Sequence, residues 1–212
     1  WGRVYRSRSL WHLALVYGVY GLAYVIQAPF FARYLQSEGG YSKEAAGALW
    51  ATVGWISIVG VPVWGAVSDR IGRGRALAGN LFMQGVGAAL FALWPTTAGL
   101  VISAIFFGLA ALAVPGIVGA GCGDQFGPKL ASASLGFVTI FIGLGQVVGP
   151  YLAGQMADSF GSLKYSYVLS AGVFFAGAIL ATFLRETGWR AETRARGAAP
   201  ATIDQAVGRP GA

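Results

Sequence analysis

Charged side chains are scarce in this sequence. Only 11% of its 212 residues are Asp, Glu, Lys or Arg, whereas 56% are hydrophobic. In a soluble globular domain roughly a quarter of the residues are charged, because the surface has to be covered with polar groups. The composition therefore excludes that class and favours a protein whose solvent is a lipid bilayer.

Residues that build metal and catalytic sites are also scarce. The chain has one cysteine, Cys122, and one histidine, so it forms no intrachain disulfide and no Cys/His metal cluster. It has no G-x-x-x-x-G-K-[ST] nucleotide loop and no Ser/His/Asp or paired-carboxylate constellation in its apolar stretches. We therefore predict no cofactor, no bound metal and no enzymatic activity.

Charged residues instead divide the chain into uncharged stretches long enough to cross a bilayer, which takes about 20 residues. Single spans are predicted at 9–32, 45–68, 130–157 and 165–184. The stretch 76–123 holds two spans, because "WPTT" at its centre is typical of a turn. The fold class is thus all-α, a polytopic membrane protein with six transmembrane helices in 9–184. Residues 1–8 are interpreted as the end of a cytoplasmic loop, and 185–212 as a disordered cytoplasmic tail.

The basic residues predict the orientation. If the first span begins in the cytoplasm, only Arg33, Lys43 and Lys164 of the 15 Lys and Arg residues lie in external loops. Positive residues in short loops favour the cytoplasm, so we predict a multi-pass protein of the cell inner (plasma) membrane with both termini cytoplasmic. Arginines at membrane edges meet anionic headgroups, which accounts for the net charge of +7 without a nucleic-acid partner.

One motif occurs twice. "GAVSDRIG", Gly65 to Gly72, and "GQMADSFG", Gly154 to Gly161, share G-x-x-x-D-x-x-G and lie three helices apart. Such an offset places the copies on opposite sides of the membrane, as in the inverted three-helix repeats of many transporters. Coincidence is the alternative, because the chain has 33 glycines and only three positions are fixed. A proline shortly upstream of both copies favours a repeat.

The first copy extends to "GAVSDRIGRGR", which resembles the signature loop of the major facilitator superfamily, between the second and third helices of a six-helix half. Gly74 departs from the family pattern, which has a basic residue there. The resemblance implies a conformational latch at the cytoplasmic side that releases during alternating access; the alternative is a charged loop that only fixes topology. The latch residues it implies are Gly65, Asp69, Arg70, Gly72, Arg73 and Arg75.

A second stretch, "GLGQVVGPYLAG", resembles the glycine and proline signature of the fifth helix in such halves, although small-residue spacing also serves plain helix packing. Proline in "AVPGIVGAG" is expected to break or bend the fourth span. The helix-packing and hinge residues are therefore Pro115, Gly145, Gly149, Pro150 and Gly154.

The resemblance covers all six spans, and the wider pattern is similar to poorly characterised bacterial permeases. A carrier of this family has twelve spans, and this chain begins without Met, so it is interpreted as the C-terminal half. The partners are then the lipid bilayer, a small-molecule solute and the missing N-terminal six-helix half.

A polar face on the first span is the candidate substrate surface. Its residues recur at spacings of three and four and so share one side of a helix: Tyr17, Tyr20, Tyr24, Gln27 and Phe31. The resemblance implies that this helix lines a central cavity, where phenols could hold a flat or amphipathic solute. Thr139 and Gln146 share a face of the fifth span and are further cavity candidates. The alternatives are interfacial anchoring for the tyrosines and an interhelical hydrogen bond for Thr139 and Gln146.

These features favour secondary active or facilitative transport of a small organic solute by alternating access, with this chain as one half of the carrier. The alternative is a non-transporting membrane sensor or scaffold of related fold. Asn80 and Gln84, one turn apart on the third span, are assigned to helix packing.

Overall fold

A computed structural model describes residues 5–184, which form α-helices and no β-strand. The predicted tail at 185–212 and the first four residues of the predicted loop at 1–8 lie outside the described residues. The helices are α1 (Arg8–Gln27), α2 (Phe31–Ser37), α3 (Lys43–Ile71), α4 (Arg73–Leu93), α5 (Thr97–Ala110), α6 (Ala113–Phe126), α7 (Pro128–Phe160) and α8 (Lys164–Thr182).

These helices make six spans that are long and apolar enough to cross a membrane, which confirms the predicted all-α fold. Helices α1 and α2 together form span 1, and α5 and α6 form span 4. Spans 2, 3, 5 and 6 are α3, α4, α7 and α8. Spans 2 and 5 are longer at both ends than the sequence predicted. At its C-terminal end each continues to a glycine, Gly72 or Gly161, because no proline or glycine lies between the predicted end and that residue.

The packing of the six spans has an internal symmetry. Span 1 packs against spans 5 and 6, and span 4 packs against spans 2 and 3. Spans 3 and 6 pack against each other. Exchanging spans 1, 2 and 3 with spans 4, 5 and 6 leaves this set of neighbours unchanged, which is the arrangement expected of two inverted three-helix repeats.

Each copy of the repeated motif ends a span, span 2 or span 5, at a glycine with positive φ. Gly72 follows span 2 with φ 97°, and Gly161 follows span 5 with φ 66°. Glycine adopts positive φ without steric cost, so each copy can end a helix and reverse the chain over a short connection. Span 3 begins directly after Gly72, and span 6 begins three residues after Gly161. Because spans 2 and 5 run in opposite directions, we call the two faces of the bundle the Gly72 end and the Gly161 end.

The loop predicted around "GAVSDRIGRGR" is wrong in its secondary structure. Helix α3 continues through Ile71 and α4 begins at Arg73, so Gly72 alone separates them. Gly65, Asp69 and Arg70 are therefore helical, and the motif forms a corner between two long helices.

The core consists of two apolar clusters. One lies along spans 1, 3, 4, 5 and 6 and includes Leu13, Leu77, Val118, Val138 and Phe174. The other lies toward the Gly161 end and is rich in aromatic rings, with Phe31, Tyr34, Phe91, Phe107 and Tyr167 all almost fully buried.

Candidate functional site

A charged cluster occupies the corner at the Gly72 end. Nη2 of Arg73 lies 2.7 Å from Oδ1 of Asp69, one turn earlier, and Nε of Arg73 lies 2.8 Å from Oδ2 of Asp124. Nη1 of Arg73 also donates to the hydroxyl of Ser68. We call these four residues the Arg73 cluster. It joins the corner between spans 2 and 3 to the end of span 4.

The two ion pairs of the cluster differ in exposure. The Arg73 side chain is 15% exposed and that of Asp124 is 29% exposed, whereas that of Asp69 is 57% exposed. Solvent screens the pair with Asp69 more strongly, so the pair with Asp124 contributes more to the stability of the corner.

Sequence reasoning missed Asp124. Its signal was available, since Asp124 is the only acid between Asp69 and Asp158 and it ends a long uncharged stretch. Three closely spaced arginines with a single acid beside them indicate that another carboxylate lies near them in the folded protein. The predicted topology put the end of span 4 on the same side of the membrane as the corner before span 3, but it did not show that the two are in contact.

Of the other predicted latch residues, Gly65 contacts the Arg73 cluster through its backbone, since its carbonyl accepts a hydrogen bond from the Ser68 hydroxyl at 2.8 Å. Arg70 and Arg75 are exposed, and a Cβ on Gly65 would meet no atom within 4 Å. Gly74 is buried against the end of span 6, where a Cβ would lie 3.1 Å from the Cβ of Leu184. The departure from the family pattern thus has a structural reason, because a side chain at Gly74 would require the end of span 6 to shift away.

The tyrosine face of span 1 points into the bundle. Tyr17 and Tyr20 are almost fully buried, Gln27 and Phe31 are fully buried, and Tyr24 is partly buried. The three tyrosine rings follow one another along the helix, and the Tyr24 ring stacks on Phe107 of span 4 with centroids 5.9 Å apart. The face therefore packs chiefly against other spans of this chain.

Span 4 is interrupted at residues 111–112, between α5 and α6. Pro115 has no N–H to donate to the carbonyl of Ala111, four residues earlier. Side chains of three other spans donate to the carbonyls at this break: Tyr20 Oη to Ala111 at 2.7 Å, Asn80 Nδ2 to Ala110 at 3.0 Å and Ser57 Oγ to Gly108 at 2.8 Å. Polar side chains on spans 1, 2 and 3 thus satisfy the backbone of span 4, which lipid could not do.

Span 1 has a similar interruption at residues 28–30, around Pro29. The Tyr167 hydroxyl of span 6 donates to the carbonyl of Gln27 at 2.9 Å. The side chain of Gln27 is fully buried, and neither its amide nitrogen nor its oxygen has a hydrogen-bond partner among the described residues. A buried amide in that state costs free energy, which a further polar partner would recover.

Thr139 and Gln146 lie elsewhere, on the exposed side of span 5. The Thr139 hydroxyl donates to the carbonyl of Leu135 in its own helix at 2.8 Å. The structure of this chain therefore does not bring them together with the tyrosine face.

The glycine signature of span 5 lies partly at the contact with span 1. A Cβ on Gly145 would collide with the backbone of Gly18 and Leu22, and one on Gly149 would lie 3.0 Å from the carbonyl oxygen of Leu22. Pro150 is exposed, and a Cβ on Gly154 would meet nothing within 4 Å. Two of the four signature positions thus allow close helix packing, and two face away from this contact.

Comparison with known proteins decides the family. The profile of the family described as "Uncharacterised MFS-type transporter YbfB" matches residues 3–182. The chain belongs to the major facilitator superfamily. It is 33% identical over 153 residues to the uncharacterised MFS-type transporter YddS of Bacillus subtilis, covering 68% of this chain and 35% of that protein. It is 30% identical over 142 residues to human monocarboxylate transporter 1, covering 65% of this chain and 28% of that protein.

The fold agrees with this superfamily. The structure is similar to the E. coli fucose:proton symporter FucP with a TM-score of 0.74 and 17% sequence identity, over 88% of this chain and 45% of that one. The chain therefore spans less than half the length of these relatives. They are transporters, not enzymes.

Proposed function

We propose that this major facilitator chain is one half of a carrier that moves a small organic solute across the membrane by alternating access, either facilitatively or by secondary active transport. The observation that carries the proposal is the symmetric packing of two three-helix repeats, with polar side chains holding the breaks in spans 1 and 4. In transporters built from such repeats, solute sites lie near the midplane where repeats meet. The named relatives are transporters, which supports the same function.

The missing N-terminal half packs against spans 2 and 5 in this proposal. Only 22% of the residues in the apolar stretch of each of these two spans are buried, against 44–56% in the other four. Their exposed sides hold glycines around which there is open space, including Gly54 and Gly143. Small residues allow helices in membranes to approach closely, so these sides suit six further helices.

The proposed orientation puts the Gly72 end in the cytoplasm of the cell, in the inner (plasma) membrane. Arg70, Arg73, Arg75 and Lys129 lie at this end, whereas Lys43 and Lys164 lie at the Gly161 end. Both termini of the chain are then cytoplasmic, in agreement with the positive-inside rule.

The Arg73 cluster acts as the cytoplasmic latch. Its pair between Arg73 and Asp124 holds the corner between spans 2 and 3 against the end of span 4, and its pair between Arg73 and Asp69 orients the guanidinium within the corner. Both pairs are at the surface of the bundle, where they can break without unfolding a span. Loss of a carboxylate from the cluster would shift the balance between conformations, because it removes an interaction present in one of them.

The solute site in this proposal includes the tyrosine face and the free amide of Gln27. An amide that has both a donor and an acceptor to offer suits a solute with hydroxyl or carbonyl groups. The aromatic rings beside it suit a flat or amphipathic body. Thr139 and Gln146 contribute from the exposed side of span 5, facing the missing half.

Solute uptake tests the proposal. The full-length protein in proteoliposomes is offered a panel of radiolabelled organic solutes, and we expect saturable uptake of at least one. Replacing both Tyr20 and Tyr24 by Phe is expected to raise the concentration at half-maximal rate; unchanged binding would remove the tyrosine face from the site.

A further inference from the structure

A second carboxylate contact lies at the Gly161 end. Oε2 of Glu38, just after span 1, accepts a hydrogen bond from the Ser162 hydroxyl at 2.6 Å, and Oε1 accepts from the backbone N–H of Leu163 at 2.7 Å. Span 6 begins at Lys164, so the carboxylate lies at the N-terminus of a helix, where the helix dipole favours negative charge. We call this the Glu38 contact.

The Glu38 contact corresponds to the Arg73 cluster under the exchange of the two repeats. Arg73 and Ser162 each directly follow the positive-φ glycine of their copy of the motif. Asp124 and Glu38 each lie at the end of the first span of their repeat. One carboxylate of the second repeat therefore binds the corner of the first repeat, and one carboxylate of the first repeat binds the corner of the second.

The two carboxylates accept from different donors but occupy the same place in their repeats. Asp124 binds a guanidinium, whereas Glu38 binds a hydroxyl and a backbone N–H. Ser162 also accepts from the N–H of Lys164 at 3.0 Å, so its hydroxyl proton is directed at Glu38. Both arrangements place a carboxylate beside the first turn of a helix that follows the glycine corner.

We propose that the Glu38 contact is a second latch, which holds the Gly161 end closed as the Arg73 cluster holds the Gly72 end. This rests on the proposed alternating access. In a carrier of inverted repeats, one repeat or bundle rocks against the other around a fixed site, so the two ends open in turn. A contact that breaks when one end opens thus has its counterpart in a contact that breaks when the other end opens. The structure has both contacts formed.

Hydrogen–deuterium exchange on the full-length protein in lipid nanodiscs tests the proposal. The reporters are residues 94–99 at the Gly161 end and residues 126–131 at the Gly72 end. Glu38→Gln removes a charge-assisted acceptor and should shift the equilibrium roughly tenfold toward opening of the Gly161 end. We expect faster exchange at 94–99 and slower exchange at 126–131. Asp124→Asn should do the reverse, and the double variant should return both reporters toward wild type.

Two further variants serve as controls. Ser162→Ala keeps the carboxylate and the Leu163 N–H and should produce a smaller shift in the same direction as Glu38→Gln. Glu44→Gln removes a carboxylate from the same end, in the exposed first turn of span 2, and should leave both reporters unchanged.

Two results would contradict the proposal: an effect of Glu38→Gln confined to its surroundings, or additive effects of the two substitutions in the double variant. If Glu38→Gln speeds exchange only near residues 38–42 and 161–167, or if the double variant speeds exchange at both ends, the contact is structural and the proposal is wrong. A parallel uptake assay on the wild type separates this failure from that of transport. Reciprocal exchange without any uptake would overturn the proposed function while leaving the paired latches.

Discussion

The hydroxyl of Tyr20 donates a 2.7 Å hydrogen bond to the carbonyl of Ala111, which lacks its usual helical donor because residue 115, four positions later, is proline. Tyr20 lies on span 1 and Ala111 at the break of span 4. These two spans occupy equivalent places in the two repeats. The bond therefore joins the repeats at the point where one of them can bend.

Loss of this hydroxyl should destabilise the protein. Tyr20→Phe leaves a buried carbonyl without a partner, which costs about 1–3 kcal/mol. The measurement is thermal unfolding in nanodiscs, with Tyr24→Phe as the matched control, since Tyr24 is only partly buried and would keep its ring contact with Phe107. A Tyr20→Phe protein as stable as Tyr24→Phe would show that the bond contributes little.

Two glycines of span 5 should respond in opposite ways to the same substitution. Gly145→Ala puts a methyl group into the backbone of span 1 and should destabilise by about 1–3 kcal/mol. Gly143→Ala meets open space in this chain and should be neutral or slightly stabilising, because Ala favours helix. The melting temperatures of the two variants of this chain decide the matter; equal losses would contradict the close packing of spans 1 and 5.

Restoring the family pattern at Gly74 should harm this protein. Gly74→Arg adds a side chain whose Cβ would lie 3.1 Å from the Cβ of Leu184 and 3.2 Å from the carbonyl oxygen of Ala181. We expect a lower melting temperature, whereas Gly65→Ala, with no atom near its Cβ, should melt like the wild type in this chain. A stable, fully functional Gly74→Arg protein would mean that span 6 moves aside at no cost.

The two acids of the Arg73 cluster should differ in how much they stabilise the protein and in how strongly salt reduces that stabilisation. Asp69→Asn removes a mainly exposed pair, worth about 0.2–1 kcal/mol and screened by salt. Asp124→Asn removes a less exposed charge-assisted hydrogen bond, worth about 1.5–3 kcal/mol. Unfolding at low and high ionic strength measures both effects. Equal losses of unfolding free energy, or a larger salt effect for Asp124→Asn than for Asp69→Asn, would contradict the stronger contribution of Asp124.

Composition and charge spacing were sufficient to predict the fold, because a membrane span is recognised by length and hydropathy alone. The number of spans and the turn after Trp94 follow from residues adjacent in sequence. The Arg73 cluster required more, since Asp124 reaches Arg73 only through the packing of span 4. The loop predicted around Asp69 was wrong in its secondary structure, because the helix continues to Ile71 and ends only at Gly72, which has positive φ.

The sequence also predicted the shared face of Tyr17, Tyr20 and Tyr24, since helical spacing is a local property. It did not indicate what that face contacts. Tyr20 turned out to bind a backbone carbonyl exposed by a proline far along the chain. Its role in a solute site, like that of Thr139 and Gln146, stays a prediction.

The central claim is that this protein carries a solute and that the Arg73 cluster, by holding one conformation, sets the rate of the conformational change. The most direct test is initial uptake by the full-length protein in proteoliposomes, comparing wild type with Asp69→Asn and with Asp124→Asn at equal amounts of inserted protein. The account predicts saturable uptake of at least one organic solute and a slower rate for Asp69→Asn, with insertion unchanged. A folded wild type that moves no solute faster than empty liposomes would contradict transport, and rates equal to wild type for both Asp69→Asn and Asp124→Asn would contradict the latch.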